Sequence, residues 1–267
     1  MTSPAAAEIK NGDVSAALAS LQESIRNDPA DASLRIFLFQ LLCIQGEWQR
    51  ALVQLNVAAD LDNEALLMAQ TYRELLQCEN YRAAVFDGNK TPLIFGEPPA
   101  WTVSLLQGLE KSANDDSKSA KAISEAAFEQ APARSGTLDG QSFAWLCDAD
   151  MRIGPAMEAV INGKYYWVPF ESIDEVAFSL PEDLRDLVWL PVEFKWTNGG
   201  ESVAFVPTRY PGEDTLDSGA RALARKTEWR DLGDDYYVGS GQRTFASDSG
   251  DHPMLETRIL KFDPVDD

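Results

Sequence analysis

Two stretches of this chain, residues 12–29 and 46–63, match one another at a register of thirty-four positions. Gly12 falls on Gly46, Ala17 on Ala51, Leu18 on Leu52, Leu21 on Leu55 and Asp28 on Asp62. No other feature limits the fold as much. A period of this length belongs to helix–turn–helix units that bury their apolar faces by stacking, as in tetratricopeptide arrays, which present a groove to another protein. The chemistry of the matched residues agrees. Gly12 and Gly46 stand between paired helices, where the chain turns tightly. Ala17 and Ala51 mark the closest approach of two helices, and Pro29 cannot continue the helix before it.

In the second unit, Leu34, Leu38, Leu41, Leu42 and Ile44 make a nearly continuous apolar stripe. Trp48, Leu52 and Leu55 recur at i, i+4, i+7 on the partner helix. A third unit begins near Glu64, runs through Met68, Tyr72, Leu75 and Leu76, and fades after Glu79. The alternative is an ordinary helical bundle with a chance register. Two and a half repeats are close to the minimum for a stable stack, so another part of the chain must cap the third. In such a stack the first helix of each pair lines the concave face. Gln40 and Glu74 fall in equivalent slots there, with Gln70 and Gln77 flanking the second. They are candidate partner contacts, or else the polar side of a solvated helix.

Helices are expected through residues 3–109, interrupted at 91–101 by Pro92, Gly96, Pro98 and Pro99. Trp101, Leu105, Leu106 and Leu109 resume a helical face. The polar stretch 110–118 reads as a domain boundary, and a helix over 119–130 would pack through Ile123 and Phe128. After Pro132 glycines, aromatics and β-branched residues rise. Residues 142–147 read as a strand with Phe143, Trp145 and Cys147 on one face. Asn162-Gly163 between 157–161 and 164–168 suits a type I′ hairpin turn, whose central residues need positive φ. Residues 187–196 and 201–206 form a second hairpin around 197–200, and 242–246 with 254–262 a third pair. Short helices are expected at 181–186 and 216–225. The fold class is therefore α+β: tetratricopeptide-like helices in residues 1–110, a linker with a helix in 111–137, and an antiparallel β-rich part in 138–267, a curled sheet or small barrel.

The chain has 267 residues and a 45% apolar composition, enough for one large or two ordinary packed domains. No apolar run reaches bilayer length and residues 1–10 lack a signal-peptide core, so a cytoplasmic protein is expected. Cys43, Cys78 and Cys147 read as buried free thiols. A net charge of −20 argues against binding nucleic acid and favours a basic partner surface, though it also serves solubility alone.

Asp148, Asp150, Arg152 and Glu158 are the most enzyme-like group. Alternate carboxylates at a strand end could hold a divalent cation. They could equally form a turn that accepts backbone N–H bonds and pairs with Arg152. The single histidine, His252, lies beside Pro253 in a polar stretch with no cysteine pair for zinc and no G-x-S-x-G for a nucleophile. Gly239-Ser240-Gly241 is too short to cradle a phosphate and reads as a turn. Arg209, Tyr210, Arg225, Trp229 and Arg243 combine the residue types of binding hot spots. They could instead be internal partners of Asp183, Asp186 and Glu228, with Trp167 and Trp189 in the core.

The blocks LRIFLFQLLCIQGEWQRALVQLNVAADLD (34–62), MAQTYRELLQCENYRAAVFDG (68–88), TPLIFGEPPAW (91–101), FAWLCDADMRIGPAMEAVINGKYYWVPF (143–170), DLRDLVW (183–189), PTRYPG (207–212), ARKTEW (224–229) and GQRTF (241–245) together resemble the ImpE/TagJ family, accessory proteins of bacterial type VI secretion. The resemblance covers nearly the whole chain and is weakest at 111–121 and the last few residues. It implies a cytoplasmic protein with a repeat-like helical part before a β-rich one. It implies association with the contractile sheath through a helix near the N-terminus of the small subunit TssB, and a functional link to the ClpV unfoldase. It brings no catalytic residues, cofactor or metal. The reading is thus a non-enzymatic adaptor with neither nucleic acid nor membrane as partner. Its rivals are a metal-dependent hydrolase on Asp148, Asp150 and Glu158, and a general chaperone-like groove.

Overall fold

The computed structural model describes residues 3–212, 215–216 and 219–264. Helices α1 (Pro4–Lys10) and α2 (Val14–Asn27) form one hairpin, and α3 (Ala32–Ile44) and α4 (Trp48–Leu61) a second. The thirty-four-residue register is built into both. Gly12 and Gly46 turn the chain with φ of +83° and +70°. Ala17, Ala51, Leu21 and Leu55 are all buried. Asp28 and Asp62 each donate a backbone N–H to the last turn, to the carbonyls of Ser24 and Ala58. Asp13 and Asp31 cap α2 and α3 by accepting from backbone N–H groups one turn in. The third unit departs from the pattern: α5 (Leu66–Phe86) is one long helix with no second helix of its own.

After α5 comes the short strand β1 (Leu93–Ile94), then α6 (Ala100–Ala113) and α7 (Ser117–Gln130). These two pack as a hairpin, so the polar stretch 110–118 holds its turn. The residues α7 buries are Ala120, Ser124 and Ala127, while Ile123 and Phe128 are only half-buried. Close approach is the reason: a Cβ on Gly108 of α6 would lie 2.8 Å from the Ser124 hydroxyl.

The C-terminal part contains β2 (Gly136–Leu138), β3 (Gln141–Phe143), β4 (Leu146–Asp148), β5 (Ala156–Ile161), β6 (Lys164–Pro169), β7 (Ile173–Phe178), β8 (Trp189–Trp196) and β9 (Glu201–Pro207). It continues through the short helix α8 (Gly219–Ala222), β10 (Thr227–Asp231), β11 (Tyr237–Gly241), β12 (Thr244–Ser247), β13 (Gly250–Pro253) and β14 (Ile259–Phe262). Nine strands form one sheet in the order β1-β6-β5-β9-β8-β7-β14-β2-β3, antiparallel except for β1 on β6. Two small sheets, β10-β11 and β13-β12-β4, stand beside it. The large sheet is open, with β1 and β3 at its ends, which corrects the small-barrel alternative.

The two predicted hairpins are present: Asn162 and Gly163 have φ of +50° and +71° between β5 and β6, and β8 pairs with β9. The third predicted pair is not. β12 turns at once onto β13, while β14 joins the large sheet between β7 and β2. Pro253, which has no N–H to donate, ends β13 and lets the chain leave. His252 therefore lies in a strand, its Nε2 2.9 Å from the Ser247 hydroxyl. The predicted strand 142–147 is likewise two, β3 and β4, in different sheets; Phe143 is buried while Trp145 faces solvent. Gly239-Ser240-Gly241 lies inside β11 and is no turn. A 3-10 turn occupies Leu184–Leu187, and α8 lies within the predicted helix 216–225, whose residues 217–218 fall outside the described residues.

Both faces of the large sheet are used. Along β8, Leu190, Val192, Phe194 and Trp196 enter a core with Phe170, Phe245 and Phe262. On the other face, Trp189, Trp167, Tyr165 and Val160 join a core shared with α1 through α7. Trp189 lies against Trp48 and Tyr72, and Phe205 also meets the Tyr72 ring. The β-rich part thus fills the hollow of the helical stack that the repeat pattern left open to a partner.

Candidate functional site

Strand β5 reads AMEAVI, and all six residues are buried. Period-two alternation turns Glu158 toward the helices, between Ala156 and Val160. A lone carboxylate there would be costly, and α5 supplies its counter-ion. Arg82 donates from Nε to Glu158 Oε1 at 2.6 Å and from Nη2 to Oε2 at 3.0 Å. Arg243, just before β12, and the Tyr165 hydroxyl also donate to Glu158. Trp167 Nε1 donates to the Tyr165 oxygen at 2.7 Å. Burial opposes the charge on Glu158, but Arg82 and Arg243 outweigh it and hold the carboxyl down at about 2.

The network continues to both sides. Arg243 donates to Asp148 Oδ2 from Nη2 at 2.6 Å and from Nε at 3.0 Å. Asp148 accepts from the Tyr210 hydroxyl at 3.1 Å and the Asp150 backbone N–H at 2.9 Å. Burial pushes the Asp148 carboxyl up to about 6, with Arg243 opposing the rise and Asp150 adding to it. Asp150 is held by Arg152 at 2.9 and 2.6 Å and by the Gly239 N–H at 2.9 Å. On the helical side, Glu79 accepts from Trp189 Nε1 at 2.8 Å and from Arg82 at 3.4 Å. Three arginines thus tie four carboxylates into one junction of α5, the large sheet and the β12 sheet.

This geometry decides between the readings of the carboxylate group. Asp148 and Asp150 form the strand-end turn that accepts backbone N–H bonds, but only Asp150 pairs with Arg152, while Asp148 is held by Arg243. Arginine nitrogens hold the carboxylates that a metal-dependent hydrolase would need. Among the described residues no group of three His, Cys, Asp or Glu is placed to hold a metal ion.

Arg209 and Arg225 have a different task. Arg209 donates to the carbonyls of Cys43, Ile44 and Ala222 at 2.6–3.1 Å. Arg225 donates to those of Ile9 and Lys10 at 2.8 and 2.9 Å. Cys43 and Ile44 lie thirty-four positions after Ile9 and Lys10. The β-rich part therefore caps the first helix of each hairpin at the same place in the repeat, where terminal carbonyls carry negative partial charge. Asp183, Asp186 and Glu228 are not partners of these arginines: Arg185 pairs with Asp183, Asp186 accepts from the N–H groups of Glu182 and Asp183, and Arg221 and Lys226 hold Glu228.

Of the residues singled out as partner contacts, Gln40, Arg209, Tyr210 and Arg243 are buried. Gln70, Glu74 and Gln77 are exposed on α5, Trp229 is 40% exposed, and Arg225 lies at the surface. The same side of α5 carries Leu67 at 77% exposure. Beside it, Thr71, Glu74, Leu75, Val203 and Phe205 line a groove of about 180 Å³, with Val203 68% exposed. A larger cleft of about 460 Å³ lies where α4, α5 and residues 209–212 and 215–216 meet, lined by Trp48, Phe86, Arg82, Arg152 and Pro211. The sequence reading missed Arg82, Glu79 and Tyr165. Their signal was present: Glu79 and Arg82 interrupt the buried face of α5, as Glu158 interrupts an apolar strand.

Fold and site define an α+β protein whose β-rich part is packed on a set of helical hairpins, with a cluster of arginines and carboxylates buried at the junction. A family model described as ImpE protein matches residues 140–261. The type VI secretion system accessory component TagJ of Pseudomonas aeruginosa is 45% identical over 260 residues, covering 97% of this chain and 90% of that protein. The X-ray crystal structure of protein VPA1032 from Vibrio parahaemolyticus matches with a TM-score of 0.87 at 28% identity, over 97% of each chain. The chain belongs to the ImpE/TagJ family of type VI secretion accessory proteins.

Proposed function

We propose that the protein is a non-enzymatic adaptor of type VI secretion, acting in the cytoplasm. It docks a helix of the small sheath subunit TssB and through it influences sheath assembly or ClpV-dependent recycling. The observation that carries this reading is the 45% identity, over 97% of the chain, with a protein named as a type VI secretion accessory component. The interior supports it, because the most enzyme-like carboxylates are held by arginines.

The docking surface is the outer side of α5, where Leu67, Gln70, Glu74 and Gln77 are exposed and Glu74 shares a groove with Val203. An amphipathic helix lays an apolar stripe into such a groove and sets its register by polar contacts at the rim. A net charge of −20 favours a partner with basic residues, and binding weakens with salt where rim charges contribute. The test is an anisotropy titration with a labelled peptide covering the N-terminal helix region of TssB, beside a scrambled control. Saturable binding of the native peptide alone is expected. Equal binding of both supports the chaperone-like groove instead, and binding of neither removes the adaptor reading.

A further inference from the structure

Helices cover only one end of β8 and β9. Trp189 and Phe205 lie against Trp48 and Tyr72. Further along the same face, by period-two alternation, Glu193, Lys195, Glu201 and Val203 are exposed. The register carries this bare face across four strands. Ile259, Ala177, Glu193 and Val203 stand in one row, and Lys261, Glu175, Lys195 and Glu201 in the next. Over β7, β8 and β9 the face is hollowed into a groove of about 320 Å³, lined by Glu175, Ala177, Glu193, Lys195, Glu201 and Val203. Val203 also lines the groove against α5, so the two grooves meet at that side chain, opposite Thr71 and Glu74.

The face selects the kind of segment that can cover it. β8 is paired on both sides, with β7 and β9, and offers no free backbone edge. A strand laid across it would leave its own N–H and C=O groups without partners, whereas a helix bonds its own backbone and buries a stripe of side chains. Val203, Ala177 and Ile259 supply an apolar floor for that stripe. The surrounding charges are unequal. Lys195 is paired with Glu175 at 2.7 Å, and Lys261 stands on the far strand, β14. Glu193, Glu201 and, across the groove on α5, Glu74 have no basic partner among the described residues. Free carboxylates beside an apolar floor complement lysine or arginine at the border of the stripe. We infer that the bare face of β7, β8 and β9 receives an amphipathic helix whose apolar stripe is bordered by basic residues, seated alongside α5. This rests on the adaptor reading above, and adds the sheet face that holds the helix and the charge the helix carries.

Anisotropy titrations of the labelled TssB helix peptide into the full chain test this, with Glu193→Lys and Glu201→Lys made singly and together. Both side chains are exposed and lie off α5, so the melting temperatures should match the wild type. Wild-type affinity is expected to fall as salt rises, and the double variant to bind about tenfold or more weakly with a flatter salt dependence. In methyl spectra of the wild type, the Ala177 and Val203 resonances should move as peptide is added. Equal affinity in the double variant, or an unmoved Ala177 methyl in a wild type that binds, overturns the inference and leaves the adaptor reading on α5 alone. A wild type that does not bind the peptide overturns both.

Discussion

Replacing Glu158 by glutamine keeps the shape of the junction and removes its central charge. Glu158 is fully buried and accepts two hydrogen bonds from Arg82, one from Arg243 and one from Tyr165. Removing one member of a buried ion pair leaves the other uncompensated, at a cost of about 3–5 kcal/mol. Arg82 keeps Glu79 and the Arg209 carbonyl, and Arg243 keeps Asp148, so the lower end applies. A loss of about 3 kcal/mol lowers the melting temperature of a chain this size by roughly 6–12 °C. Urea denaturation followed by circular dichroism measures it, with Lys195→Gln, at the surface pair Lys195–Glu175, as the control expected to lose far less. The deficit is also pH-dependent. The carboxyl is held at about 2 against an ordinary 4.5, so its contribution is present above 4.5 and lost as pH falls toward 2. A loss below about 1 kcal/mol at neutral pH, or one no larger than the control's, would refute the idea that this junction clamps the layers together.

Asp148 has the opposite sign. Its carboxyl sits at about 6 against an ordinary 3.8, so the native state holds the extra proton between those values and its contribution falls as pH rises through them. Urea titrations of the wild type and Asp148→Asn should show the wild type losing ground to the variant across that window. Arg209→Ala removes a donor from three carbonyls, of which that of Cys43 keeps the Gly46 N–H, and should cost about 1–3 kcal/mol, while Arg225→Ala, at the surface, should cost less. Gly46→Ala should lower the melting temperature more than Gly12→Ala. Both glycines have positive φ, but a Cβ on Gly46 would lie 2.5 Å from Leu216, whereas one on Gly12 would be 3.8 Å from Arg225.

Local chemistry was legible wherever a residue type had one purpose. Gly12, Gly46, Ala17 and Ala51 announced two hairpins because a tight turn and a close helix contact accept little else. Asn162-Gly163 fixed a β-turn for the same reason. Long-range partnership was not legible. Nothing in residues 254–262 says that β14 joins β7 and β2 rather than β12. The groove illustrates the same limit, since Gln40 reads as a polar groove residue but is buried in the folded chain. Arg209 and Arg243 were noticed as binding types, but their partners, the α3 carbonyls and Glu158, lie 165 and 85 positions away.

Calorimetric titration of the TssB helix peptide into the wild type and into Leu67→Asp tests the adaptor account most directly. Leu67 is 77% exposed, so the substitution leaves the core intact and its melting temperature should match the wild type. The account predicts saturable micromolar or tighter binding to the wild type and about a tenfold or greater loss in the variant. No binding to the wild type, or equal affinity for both proteins, contradicts it.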